Sequence, residues 1–243
     1  MTRELFKLND GTDRVALADA FARDGRVQVR DFLTDASARE VHHILSRHTP
    51  WGLAWQAGTD GPHAIEAAEL TADPVRYQQE IAQKTAQAAA RGDYAVQFAR
   101  YPILSAYLGR WAPDGPHDLL LEHINSEPLL DFVRQVTGIP TIIKGDAQAT
   151  LYAPGHFLGL HSDSHVAEGW LIAYVMNFCA TEWKPDWGGY LNFYDKDGDI
   201  SAGYKPRFNA INMFAVPRAH AVSYVPPFAP VGRYAITGWF RDR

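Results

Sequence analysis

From Pro140 onward the chain breaks into short stretches of alternating apolar and polar residues, parted by turn residues every 8–15 positions. The stretches are 141–152, 158–163, 171–178, 190–194, 210–215, 221–225 and 234–240. A period of two puts one side of each stretch into a core and leaves the other free. Many short strands with regular turns predict an antiparallel sandwich or barrel. The first part reads differently. Residues 26–33 alternate as a strand. Asp35 begins a helix through Ser46 with Val41, Ile44 and Leu45 on one face. Residues 75–91 have a helix composition ending at Gly92, and 126–136 read as a helix opened by Ser126 and Pro128 and closed by Gly138. Residues 50–62 read as a loop, and 51–62 are either a lid over the site or a crossing loop. The expected class is α+β, mostly β: helices packed outside a C-terminal antiparallel double-sheet barrel. The expected organisation is one domain over 1–243, with 1–139 a helix-rich support and 140–243 the catalytic strands.

Composition narrows the function. With 243 residues, 47% of them hydrophobic, the chain can bury a sizeable core. A net charge of −5 and no dense Lys/Arg run argue against a nucleic-acid partner. The single cysteine, Cys179, excludes an internal disulfide and any cysteine-based zinc or iron–sulfur site; it reads as a small core residue. No signal-peptide core and no long apolar run are present, so a cytoplasmic protein without a membrane partner is expected.

Ten histidines occur, and one of them opens a His-x-Asp, His161-Ser162-Asp163. On a strand, residues i and i+2 present an imidazole and a carboxylate on one face. Alone, the pair could equally be a surface polar pair. His220 opens a later β-like stretch. Together the three compose a 2-His-1-carboxylate set, which holds Fe(II) on one face and leaves positions open for O2 and a co-substrate. Such a site attracts a 2-oxo acid, and the far carboxylate of 2-oxoglutarate then calls for a fixed cation. Arginine suits it, because its planar fork is bidentate and always charged. Arg233 stands in Gly232-Arg233-Tyr234-Ala235-Ile236-Thr237-Gly238-Trp239-Phe240. Alternation puts Arg233, Ala235, Thr237 and Trp239 on one face, a pattern that suits a pocket wall better than solvent. His156 and His165 read as loop neighbours of the site. His42, His43, His48, His63, His117 and His123 read as surface.

The C-terminal hundred or so residues resemble the Fe(II)/2-oxoglutarate-dependent dioxygenases, in their prolyl-hydroxylase-like branch. The resemblance rests on four ordered pieces: Tyr152 through Gly155 to His161-Ser162-Asp163; the turn Trp187-Gly188-Gly189; His220-x-Val222-x-x-Val225; and Arg233 through Thr237 to Trp239. It implies a double-stranded β-helix, the jelly-roll or cupin-like core. It implies iron ligation by His161, Asp163 and His220, and pairing of Arg233 with the 2-oxoglutarate C5 carboxylate. Tyr152, Thr237 and Trp239 would line the co-substrate pocket. Tyr174 would help hold the carboxylate. The sequence departs from many relatives in having Leu158 three residues before the first ligand, where they carry a Tyr. The implied cofactors are Fe(II), 2-oxoglutarate and O2, with ascorbate as an accessory reductant. The implied reaction is hydroxylation of an unactivated C–H, coupled to decarboxylation of 2-oxoglutarate to succinate and CO2. The expected substrate is a prolyl residue of a protein or peptide. The alternatives are a small molecule such as a free amino acid, or a non-catalytic metal-binding module. Lys144, Asp146, Gln148, Thr150 and Tyr152 share one strand face, which either lines the mouth of the site or faces solvent. The oligomeric state is left open.

Overall fold

A computed structural model describes residues 5–163 and 166–243. Six helices and four strands precede residue 126. They are α1 (Arg14–Asp24), β1 (Arg26–Arg30), α2 (Asp35–Arg47), β2 (Gly52–Ala57), β3 (Asp60–Ile65), α3 (Ala67–Ala72), α4 (Pro74–Arg91), β4 (Ala95–Tyr101), α5 (Ile103–Leu108) and α6 (Pro116–Ile124). After α7 (Glu127–Thr137) come β5 (Lys144–Gly145), β6 (Gln148–Tyr152), β7 (Phe157–Ser162), β8 (Trp170–Asn177), β9 (Leu191–Tyr194), β10 (Ile200–Tyr204), β11 (Ala210–Ala215), β12 (Ala219–Val222) and β13 (Arg233–Arg241).

The expected helices form where their end signals stand. Thr34, one residue before the expected start, caps α2 by accepting from the Ser37 amide. Ser126 is the N-cap residue of α7, with a proline in the first turn and Gly138 in the left-handed conformation just beyond. The Ser126 hydroxyl, however, donates back to the His123 carbonyl, so it ends α6 rather than capping α7 through its side chain. Leu129, Leu130, Phe132, Val133 and Val136 make the buried stripe of α7.

The strands pair antiparallel in the order β1-β11-β8-β13-β6-β4-β7-β12-β9-β10. β4 is the hinge of this order. Along one edge Ala99 and Arg100 face Leu151 and Thr150 of β6, while Val96 and Gln97 face Leu158 and Phe157 of β7. It therefore straps together the larger group, β1-β11-β8-β13-β6, and the smaller group, β7-β12-β9-β10. The inner faces of the two meet through Ala173, Val175, Phe214 and Ala235 on one side and Leu191 and Phe193 on the other. The outer face of the larger group presents Ile172, Met176, Ile211, Met213, Ile236 and Phe240 to the helices, in a core shared with Leu45, Leu120 and Phe132. This is the jelly-roll-like arrangement expected of the class, with two corrections.

Residues 50–62 are not a loop. They make β2 and the start of β3, a hairpin whose first strand also pairs with β4 over Gly52–Ala57. A segment hydrogen-bonded along a whole strand edge is no lid. Leu53, Trp55 and Ala57 pack beneath Ile81 and Ala88 of α4, while Ala54 faces the opposite side and is also buried. Burial on both faces removes the alternation that marks a strand. His117 is likewise no surface residue: it is 6% exposed, against the Tyr101 ring.

Candidate metal centre and co-substrate cavity

His161 is the last residue but one of β7 and His220 the second of β12, and the ladder sets them directly opposite each other. Their rings stand 4.1 Å apart, centroid to centroid. Each Nδ1 faces a carbonyl of its own strand entry: Gly159 O at 3.0 Å for His161 and Arg218 O at 2.8 Å for His220. Those contacts suit Nδ1–H donation, which leaves both Nε2 lone pairs free. Asp163, just past β7, brings Oδ1 to 3.6 Å from the His161 Nε2 and Oδ2 to 3.7 Å from the His220 Nε2. The three ligand atoms lie within 4.8 Å of one another, and no other such group occurs among the described residues. Burial, and then the neighbouring His161, push the His220 pKa below its ordinary value, so the ring favours the neutral form a metal needs.

Trp239 orients the carboxylate. Its Nε1–H donates to Asp163 Oδ2 at 3.0 Å, and its ring stacks on Trp170 at 3.9 Å with an interplanar angle of 7°. Its backbone amide is held by Asp146 Oδ1 at 2.8 Å. The neighbouring Gly238 lies so close to the Asp146 backbone that any Cβ there would collide with it.

The triad opens into a cavity of about 200 Å³. At its far wall lies Arg233, 1% exposed. Its Nε donates to Asn177 Oδ1 at 3.1 Å, while Nη1 is buried with no partner among the described residues. Its guanidinium lies 5.3 Å above the Tyr152 ring, which in turn stacks on Phe98. A buried guanidinium without a carboxylate partner costs several kcal/mol. Burial pushes the Arg233 pKa below its ordinary value. The cavity therefore has one cationic end awaiting an anion and one end with two imidazoles and a carboxylate. This donor set fits a divalent iron, and the buried guanidinium in the same cavity fits a carboxylate.

The expected pocket face of β13 is where alternation put it: Arg233, Thr237 and Trp239 line the cavity, with Ala235 fully buried on the same side. Gln148, Thr150 and Tyr152 of β6 line it as well, while Lys144 lies exposed beyond. Tyr174 is placed otherwise than the resemblance implies. It borders the cavity, but its ring packs on Phe240 in the core beneath the helices, and its hydroxyl donates to the Asp146 carbonyl at 2.6 Å. On β8 the inward residues are Ala173, Val175 and Asn177, so Tyr174 belongs to the opposite face. Asn177 and Phe98 went unnoticed in the sequence. Asn177 could have been found as the one polar residue on the inward face of an apolar strand. Leu158 lines the cavity. His165 lies outside the described residues. Cys179 is buried, with its pKa raised to about 12 by desolvation, in keeping with a core role.

Residues 147–241 match the family described as the 2OG-Fe(II) oxygenase superfamily. This segment belongs to that superfamily. The match takes in 95 of the chain's 243 residues, and the family's description names Fe(II) and 2-oxoglutarate. Its fold is shared with solved oxygenase structures. A Pseudomonas putida prolyl-4-hydroxylase superposes with a TM-score of 0.58 at 18% identity, covering 98% of this chain and 95% of that one. A 2OG-Fe(II) oxygenase family oxidoreductase from Burkholderia pseudomallei gives 0.58 at 12% identity, covering 98% and 94%. A Trichoplax adhaerens prolyl hydroxylase, solved with a hypoxia inducible factor oxygen degradation domain peptide fragment, gives 0.51 at 15% identity, covering 94% and 89%. No curated protein matches the sequence. Among the described residues no helix is long and apolar enough to cross a membrane.

Proposed function

We propose that the oxygenase hydroxylates a prolyl residue of a peptide or protein, with His161, Asp163 and His220 holding Fe(II) and Arg233 holding the C5 carboxylate of 2-oxoglutarate. The observation that carries the reading is Arg233: a buried cation with an unpaired Nη1, in the same cavity as the triad. Iron with 2-oxoglutarate and O2 supplies the oxidising power for C–H hydroxylation, with succinate and CO2 released. The chain's own residues do the rest. The Gly159 and Arg218 carbonyls fix both imidazoles with Nε2 toward the metal position. Trp239 fixes Asp163. Asn177 and the face of Tyr152 aim the Arg233 fork. Val175, Leu191, Phe214 and Val222 wall the cavity with apolar surface, which keeps water from the reacting centre. Thr237, which lines the cavity on the face between Arg233 and Trp239, would meet the bound diacid.

The prolyl substrate is supported by the prolyl hydroxylases among the structural relatives. It is also supported by an open groove of about 540 Å³ that adjoins the cavity through Phe98, Gln148, Leu158, Thr237 and Trp239. The test is succinate formation from 2-oxoglutarate with Fe(II) and ascorbate, against proline-containing peptides and free amino acids. Stimulation by at least one prolyl peptide is expected. Metal-dependent succinate formation that no prolyl compound stimulates removes the prolyl substrate alone. No metal-dependent 2-oxoglutarate consumption under any condition removes the oxygenase reading.

A further inference from the structure

The groove beside the cavity contains a second cation, Arg100, that makes no ion pair among the described residues. Strand β4 presents Val96, Phe98 and Arg100 to the groove, while Ala99 and Tyr101 turn to the other side. Arg100 is partly buried on that face. Its Nε is buried without a hydrogen-bond partner, and the side chain makes no ion pair among the described residues. Burial pushes its pKa below the ordinary value, and the charge of Glu66, next to Gly52 across the ladder, opposes this without an ion pair. The neighbours offer no substitute. Across the ladder stand Gly52 on one side and Thr150 on the other, and the Thr150 hydroxyl is itself buried and unpartnered. The carboxyl in the groove, Asp146, is turned onto the Trp239 amide.

Register fixes where this cation sits relative to the co-substrate. Tyr152 pairs with Arg233, and Arg100 pairs with Thr150, two residues further along the same strand. Two strand spacings across and two residues along separate the Arg233 and Arg100 backbones by roughly 12 Å. Phe98, one pleat from Arg100, lines both the cavity and the groove. A ligand paired with Arg100 would therefore lie along Phe98, with its other end at the mouth of the metal cavity.

We propose that Arg100 recognises a carboxylate on the primary substrate and so positions the carbon to be hydroxylated. The substrate class narrows to carboxylate-bearing molecules, as either a free or C-terminal proline carboxylate or an acidic side chain beside the target residue. A partly desolvated guanidinium gains charge-assisted, bidentate hydrogen bonds from a carboxylate and loses them to a carboxamide of the same shape. The proposal rests on the oxygenase reading above.

The test compares two pairs of probes: L-proline with L-prolinamide, and acetyl-Asp-Pro-amide with acetyl-Asn-Pro-amide. Binding is followed by intrinsic tryptophan fluorescence, since Trp55 and Trp239 line the groove. Parent, Arg100→Gln and Arg100→Lys proteins are compared, with 2-oxoglutarate binding measured on the parent in parallel. The carboxylate member of at least one pair is expected to bind the parent at least tenfold more tightly than its amide. Arg100→Gln should abolish that preference. Arg100→Lys should keep part of it, which separates recognition from misfolding. The pair that responds names the source of the carboxylate. Equal binding within both pairs, or a preference that survives in Arg100→Gln, overturns the proposal. Failure of the parent to bind 2-oxoglutarate overturns instead the reading beneath it.

Discussion

Arg233→Met separates the two roles a buried arginine can have. Methionine keeps most of the stem and deletes the charge. Among the described residues the guanidinium has one hydrogen bond, to Asn177, and an unpaired Nη1 in a fully buried site. Removing it abolishes an uncompensated buried charge, a penalty of several kcal/mol. Against that gain, Asn177 loses its donor at a cost of about 1–3 kcal/mol. The unliganded variant should therefore melt no lower than the parent. Binding should move the other way. Two charge-assisted hydrogen bonds to a carboxylate contribute about 1.5–3 kcal/mol each, so the loss of 2-oxoglutarate affinity is about 3–6 kcal/mol. At about 1.4 kcal/mol per decade, that is a Kd raised between roughly 10²- and 10⁴-fold. Calorimetric titration gives the Kd directly. Melting gives it independently: at 100 times Kd a ligand stabilises its protein by about 2.7 kcal/mol, roughly 5–10 °C for a chain of this size. That ligand-induced shift should vanish in the variant. A variant that binds 2-oxoglutarate within threefold of the parent would refute the assignment. A ligand-free melting point lowered by more than about 5 °C would show the arginine to be structural.

Asp163→Ala should lower Co(II) or Fe(II) affinity at least 100-fold and abolish succinate formation, measured by metal titration and turnover on one preparation. Trp239→Phe removes one charge-assisted hydrogen bond to Asp163 and keeps a ring over Trp170; metal affinity should fall about 10–100-fold with the melting point little changed, and unchanged affinity would show Asp163 to be held by its strand alone. Ile236→Ala empties a fully buried site between sheet and helices; it should destabilise by about 2–5 kcal/mol, read as a fall in the denaturant midpoint. His117 is held neutral: desolvation, then the nearby His48, lower its pKa from 6.5 to about 4. Its folded pKa lies below the unfolded one, so between those values the unfolded chain binds the extra proton and stability falls with pH through that window, by about 3 kcal/mol at most. His117→Gln should flatten that slope in denaturation between pH 7 and pH 4, and an unaltered slope would assign it to other groups.

What the sequence revealed and what it hid follow one rule. β13 was legible because its two faces differ in chemistry: Arg233, Thr237 and Trp239 line the cavity, while Ile236 and Phe240 enter the helix-facing core. Alternation alone assigned each residue. β2 was illegible because both its faces are covered, and Gly58, Asp60 and Gly61 around its turn dominate the local signal. β10 escaped for the opposite reason. It is an edge strand with little burial and a glycine within, so neither face carries an apolar signature. Tyr174 shows the cost of departing from the rule. The resemblance pointed it toward the co-substrate, yet its place between Ala173 and Val175, both turned inward, already sent it outward.

The same rule explains why Arg100 escaped notice and why it matters. A sequence shows Arg100 in Ala95-Val96-Gln97-Phe98-Ala99-Arg100-Tyr101 as one more charged residue on a short strand. Its meaning comes from the pairing of β4 with both β6 and β7, a contact that spans some fifty residues and has no local signal. That pairing does two things at once. It closes the seam between the two groups of strands, and it carries the Phe98–Arg100 face to the mouth of the metal cavity. Arg233 sits at the cavity's inner end and Arg100 outside it, each short of a partner. One chain with a net charge of −5 keeps two desolvated guanidiniums on one curved wall. Stability alone does not favour either of them. On the two proposals made above, two anions would: 2-oxoglutarate at Arg233 and a carboxylate of the primary substrate at Arg100.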